Sequence, residues 1–170
     1  MKNLWNPWRE EHVLGREEKY DYCIFEPPTE GSDSKEHLLL YRDSHAVILL
    51  NRFPYANGHL LIAPARHIAD ITELSSQENE TIMELLQVSS SILRGELHCD
   101  GLNIGCNLGE VAGAGIASHL HFHIVPRWEG DHNFMTVVNE IRTIPVHIAH
   151  TFDQLVPAFR ELFQIRHPQR

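Results

Sequence analysis

The chain has 170 residues and a mass of 19.6 kDa, enough for one hydrophobic core and short for two. Lys and Arg number 14 against 23 Asp and Glu, a formal charge of -9, which excludes partners held mainly by counterion release from phosphates, such as long DNA or RNA. A small phosphorylated ligand stays open, because backbone N–H groups and imidazoles can hold it locally. Cys23, Cys99 and Cys106 are an odd set without staple-like spacing, and the opening MKNLWNPWREEH has no apolar secretory core. The longest apolar run, Ala46 to Leu50, falls far short of the roughly 20 residues that span a bilayer. A cytoplasmic location with no membrane and no nucleic-acid partner is therefore expected.

Trp5, Pro7 and Trp8 open a proline-punctuated arm of about 20 residues that can lay aromatic faces on a surface. From Glu10 to Arg42 the chain is mostly polar, with Pro27-Pro28 and Gly31-Ser32-Asp33-Ser34, and is expected to be a loop near an edge. His45 to Asn51 and Gly58 to Ala63 are apolar strand candidates, joined by a segment ending in the turn signal Asn57-Gly58. After Ile71 the apolar residues recur at three- and four-residue steps to Leu97. Ser75 and Glu78 have capping-box spacing, so a helix of about five turns is predicted. Leu102 to Cys106 returns to strand character, and Asn107 to Gly115 is a small-residue loop whose N–H groups a ligand can approach. His119 to Val125 alternates strictly and predicts a strand, and Met135 to Ile141 is a further candidate. Leu155 to Phe163 carries a helical stripe within a C-terminal extension of about 151–170, with Pro157 expected in the first turn. With no internal repeat, the expectation is a single α+β domain.

Thirteen histidines are the compositional oddity. His119, His121 and His123 are two residues apart, which puts their imidazoles on one face of a strand and Leu120, Phe122 and Ile124 on the other. An apolar side anchored in the core would hold the imidazoles stiffly. The row can serve as a metal site, a polar sheet face or a catalytic device. The small-residue loop ending at Ser118 brings a phosphate-binding backbone beside it. A neutral imidazole near pH 7 is a competent nucleophile if an acceptor orients its second nitrogen. Neither GxxxxGK[ST] nor GxGxxG follows a strand. Cys99 and Cys106 have no neighbouring base, and His12, His37, His98, His147, His150 and His167 show no convergent spacing; surface or packing roles are expected. Trp128 is a candidate for a dimer surface or a pocket rim.

HLHFHIV resembles the signature of the histidine triad superfamily, His-x-His-x-His followed by two hydrophobic positions. Asn51-Arg52-Phe53-Pro54, Gly58-His59-Leu60-Leu61-Ile62, Pro64-Ala65-Arg66-His67, Asn103-Ile104-Gly105 and Pro126-Arg127-Trp128 extend the resemblance. Gly130 to Met135 and the early LWNPWR are similar to its bacterial diadenosine-tetraphosphate phosphorylase-like branch. The resemblance implies an antiparallel sheet with a long helix and a peripheral C-terminal helix, a homodimer, and cleavage at a nucleoside α-phosphate. It assigns the nucleophile to His121, flanked by His119 and His123. His123, Gly113, Ala114, Gly115 and Ser118 become phosphate contacts, His59 helps to close the site, Asn51 contacts the nucleoside, and Asn107 lies near the phosphates. It also implies a structural zinc held by Cys23, Glu26, His67 and His119, with Glu26 standing where the family pattern has a second cysteine. A carboxylate can complete a tetrahedral zinc site, though a harder and weaker one.

The implied substrate is a dinucleoside polyphosphate or related adenosine nucleotide. Inorganic phosphate as second acceptor gives a phosphorylase, and water gives a hydrolase. A nucleotide-binding module without turnover and a metal-organised structural protein are the rivals to an enzyme.

Overall fold

The structure, a computed structural model, describes residues 22–29, 31–131 and 146–168. The aromatic arm, the candidate strand from Met135 to Ile141, and His12 lie outside them. Five strands form one sheet: β1 (Leu39–Arg42), β2 (Ala46–Leu50), β3 (Leu60–Pro64), β4 (Gly101–Cys106) and β5 (Phe122–Arg127). Their spatial order is β1-β2-β3-β5-β4, and every neighbouring pair is antiparallel. Helix α1 (Ser76–Leu97) and helix α2 (Ile148–Arg166) complete the α+β fold of antiparallel sheet, long helix and peripheral C-terminal helix.

The apolar residues of the central strands divide between two clusters by the strand period of two. Leu40, Ile48, Leu50, Leu60, Ile62 and Ile124 join one side of both helices in the main core. Leu39, Val47, Leu49, Leu61 and Ala63 form a smaller cluster, closed by Phe25 and by the partly buried Ile116. This second cluster is where the N-terminal segment and the loop before the histidines meet.

Three expectations need correction. The polar stretch ending at Arg42 contains edge strand β1, whose Leu39, Leu40 and Tyr41 are fully buried; four residues are too few for periodicity to register against a polar background. Helix α2 begins at Ile148, with His147 Nδ1 accepting from Ala149 N–H at 3.2 Å, so Pro157 lies in the helix interior. Phe152, Leu155, Val156, Phe159 and Leu162 are buried around it, and that packing outweighs the missing hydrogen bond. The strand expected from His119 starts at Phe122. Its partner β3 ends at Pro64, which has no N–H to continue the ladder.

Helix α1 follows its sequence signals. Ser75 accepts from Glu78 N–H at 3.2 Å, and the Glu78 carboxylate accepts from Ser75 N–H at 2.8 Å. The Arg66 guanidinium beside Glu78 holds that carboxyl down at about 2. The helix runs 22 residues, about six turns, and ends at His98 in the left-handed region. Trp128 packs partly against the main core and donates Nε1–H to Leu97 O at 3.2 Å, beside that helix end. Among the described residues no helix is long and apolar enough to cross a membrane.

Candidate active site and metal centre

A short backbone approach to β5 carries His119 and His121, and the strand itself carries His123. Leu120 N–H donates to Ile68 O at 2.6 Å, and the rings of His119 and His121 both meet Phe25, so the two imidazoles share one side outside the ladder. His123 sits in the sheet between Leu61 of β3 and Gly105 of β4. Its ring lies 4.9 Å from that of His121.

Main-chain groups set the tautomers. His121 Nδ1 lies 2.8 Å from His119 O, which can only accept, so Nδ1 carries the proton and Nε2 keeps its lone pair. Tyr55 N–H donates to His59 Nδ1 at 3.1 Å, which places the His59 proton on Nε2. That nitrogen is 3.0 Å from His123 Nδ1, so His59 donates to His123 and leaves His123 with its own N–H on Nε2. Asn51 Nδ2 also reaches His59 Nδ1, at 3.2 Å. The row thus presents an acceptor nitrogen at His121 next to a donor nitrogen at His123.

Burial keeps these rings neutral. It is the largest cause pulling His59 down to about 3 and His123 down to about 4, with the neighbouring imidazoles adding to it. His121 and His119 are lowered chiefly by burial as well. His119 and His121 are 1% and 4% exposed, so an unpaired charge on either would lack solvation.

Two aromatic residues at the site escaped the sequence reading. Phe25 packs against His119 and His121, with ring centroids 4.9 and 5.2 Å away. Tyr55 covers His59 at 4.8 Å and also reaches His123 at 6.1 Å. Their positions, inside the Cys23 to Glu26 piece and four residues before His59, are the signal that could have flagged them.

Of the other expected contacts, Asn107 closes its own loop by donating to Gly113 O at 3.3 Å. A 3₁₀ turn at Glu110–Ala112 follows Gly109, and Gly113 has φ of 91°. Ala114 is half-buried, while Gly113, Gly115 and Ser118 are exposed. Among the described residues no hydrogen bond ties this loop to the imidazoles; Ile116 seats it on the cluster that includes Phe25.

On the far side of His119, Cys23, His67 and His119 bring one sulfur and two nitrogen ligand atoms within 4.8 Å of one another. His119 Nε2 donates to Pro64 O at 2.9 Å, which leaves Nδ1 as the ligand atom, 3.2 Å from Cys23 Sγ. Burial raises the Cys23 thiol, which in this geometry donates to that nitrogen. One thiolate and two imidazoles are a donor set that suits zinc. Glu26, expected as the fourth ligand, does not join the group: its Oε2 lies 3.3 Å from His67 Nδ1, and it is exposed.

The chain is 31% identical over 151 residues to an AP-4-A phosphorylase of Mycobacterium tuberculosis, the match covering 85% of this chain and 77% of that protein. An uncharacterised HIT-like protein of Saccharolobus solfataricus is 33% identical over 113 residues, 66% of this chain and 79% of its own. Among solved structures, a Zn-bound histidine triad family protein of Mycobacterium smegmatis superposes with a TM-score of 0.61 at 28% identity, covering 75% of this chain and 87% of that one. A hypothetical histidine triad nucleotide-binding protein of Sulfolobus tokodaii shares the fold with a TM-score of 0.59 at 24% identity, over 76% and 85% of the two chains. The HIT domain model matches residues 33–130, more than half of the sequence and all of the imidazole row, and the chain belongs to that family.

Proposed function

We propose that the protein is a nucleotidyl transferase acting on dinucleoside polyphosphates through a nucleotidyl-His121 intermediate, with inorganic phosphate as the second acceptor. The observation that carries this reading is the 2.8 Å bond from His121 Nδ1 to His119 O, which leaves Nε2 free as an attacking lone pair. His121 Nε2 bonds to the α-phosphorus as the P–O bond to the leaving nucleotide breaks. The N–H on His123 Nε2 hydrogen-bonds the departing oxygen and stabilises the charge that develops on it, so the leaving nucleotide departs as its anion and His123 keeps its proton. A phosphate oxygen then attacks the same phosphorus, the P–N bond breaks, and His121 is regenerated with release of a nucleoside diphosphate.

The remaining residues take supporting roles. His59 orients His123, and Asn51, which bonds His59, contacts the nucleoside. N–H groups around Gly113, Ala114 and Gly115, with Ser118 and Asn107, hold phosphate oxygens. Similarity to an AP-4-A phosphorylase over 85% of the chain supports diadenosine tetraphosphate as the substrate. A zinc ion held by Cys23, His67 and His119 would cross-link the N-terminal segment to the approach to β5, a structural role. A second copy of the chain is expected along β4, an edge strand with exposed Asn103, Ile104 and Gly105.

Product analysis separates the outcomes. Incubation of diadenosine tetraphosphate with enzyme and inorganic phosphate should give ADP and ATP; AMP and ATP irrespective of phosphate would identify a hydrolase. No turnover with or without phosphate, despite nucleotide binding, would reduce the protein to a binding module.

A further inference from the structure

We infer that Tyr55 is a positioning residue of the transfer step: its ring locks the His59–His123 pair so that the His123 Nε2–H stays aimed at the departing oxygen. This inference rests on the transferase chemistry proposed above and deepens it, by naming what sets the enzyme's tolerance of a basic leaving group.

The loop between β2 and β3 holds this ring still. Its ends are tied by Asn51 N–H donating to His59 O at 2.8 Å. Inside it, Phe53 N–H donates to Asn51 Oδ1 at 3.0 Å and His59 N–H to Ala56 O at 3.2 Å. Pro54, with its fixed φ, immediately precedes Tyr55. The Tyr55 N–H, donated to His59 Nδ1 at 3.1 Å, ties the same residue to the first imidazole. Its ring then lies against both imidazoles, 4.8 Å from His59 at 35° and 6.1 Å from His123 at 25°. These separations fall in the range over which aromatic rings attract.

The two imidazoles are joined by the bond from His59 Nε2 to His123 Nδ1 at 3.0 Å. That bond alone lets both rings rock together without breaking; a third ring packed against both opposes the motion. Tyr55 is 43% exposed while His59 is fully buried, so the phenol ring is the outer layer that keeps water off the bond. The donor beyond it, His123 Nε2–H, stabilises charge only where it meets the oxygen as the P–O bond breaks. Misalignment therefore costs most for a leaving group that carries its developing charge poorly, and least for one that carries it unaided.

Esters of AMP with phenols of graded acidity, from para-nitrophenol to more basic ones, isolate that effect, because kcat/KM for each reports formation of the nucleotidyl enzyme. With the full-length protein, Tyr55→Ala should lose about 10- to 100-fold in kcat/KM on the most basic phenol and progressively less toward para-nitrophenol. Tyr55→Leu, which keeps apolar bulk but offers no flat face, should steepen the dependence on leaving-group acidity in the same sense. Tyr55→Phe, which keeps the ring, should return the wild-type dependence. Each slope is measured within one preparation, so an unfolded fraction cancels from it. An equal loss across the series in Tyr55→Ala and Tyr55→Leu, or a slope that stays steep in Tyr55→Phe, would overturn the inference while leaving the transferase reading in place. A wild type that forms no product from these esters or from diadenosine tetraphosphate would overturn both.

Discussion

At the scale of single residues, the chemistry depends on where each imidazole keeps its proton, and three backbone groups decide it: His119 O, Pro64 O and Tyr55 N–H. Removing the nucleophile should therefore be far worse than disturbing its neighbours. His121→Gly is expected to lower kcat on the order of 10⁴-fold or more with nucleotide affinity largely kept, and a comparable loss of affinity in binding titrations would argue for a structural role instead. His59→Ala removes the donor that orients His123, so kcat should fall roughly 10²-fold while KM changes little. Unchanged kcat in steady-state kinetics would remove His59 from the positioning role. The spacing of His119, His121 and His123 was enough to put them on one face. Their tautomers were not legible, because they depend on the local turn that brings His119 O to His121 and on carbonyl and amide groups brought in from β3 and the 51–59 segment. The fate of Glu26 was likewise beyond sequence reading, since a carboxylate three residues from Cys23 can reach either a metal or the imidazole beside it.

At the scale of elements, helix α1 was readable because its cap, its apolar period and its length all agree. Ser75→Ala should cost about 1 kcal/mol in denaturant unfolding. Helix α2 was readable only in its second half: the apolar stripe from Leu155 pointed to it, but His147 is not a common N-cap and Pro157 suggested a helix start. Pro157 is exposed within the helix, so Pro157→Ala restores a backbone hydrogen bond without emptying the core. It should raise stability by about 1–3 kcal/mol, with no gain expected if the helix really began there. Gly58, between the Asn51 to Tyr55 segment and His59, has φ of 74°, and an added Cβ would collide with the Leu97 side chain. Gly58→Ala should cost about 1–3 kcal/mol and displace the residues that hold His59, lowering activity as well.

For the whole molecule, the buried neutral histidines make stability depend on pH. His59 and His123 sit at about 3 and about 4 in the folded chain, below the ordinary value of about 6.5 that the unfolded chain would show. Above that value both states are neutral at these positions. As pH falls below it the unfolded chain takes up protons first, so stability is lost between about pH 6.5 and 4, and down to about 3 for His59. Carboxylates such as Glu78, lowered by Arg66, add their own loss only below the ordinary carboxylate range. Urea midpoints should therefore drop from pH 7 to pH 5, and the drop should shrink in a His59→Asn, His123→Asn variant; an equal drop in both would assign it elsewhere. The sheet and both helices were foreseeable in outline, whereas the short edge strand β1 and the aromatic covers Phe25 and Tyr55 emerge only when distant segments close over the imidazoles. What those segments enclose is tested most directly by alkaline-quenched turnover with diadenosine tetraphosphate, withholding phosphate, followed by intact-mass and peptide mapping. An added nucleoside monophosphate on His121 is the predicted result; an adduct on another residue, or none under conditions where substrate is consumed, would contradict it.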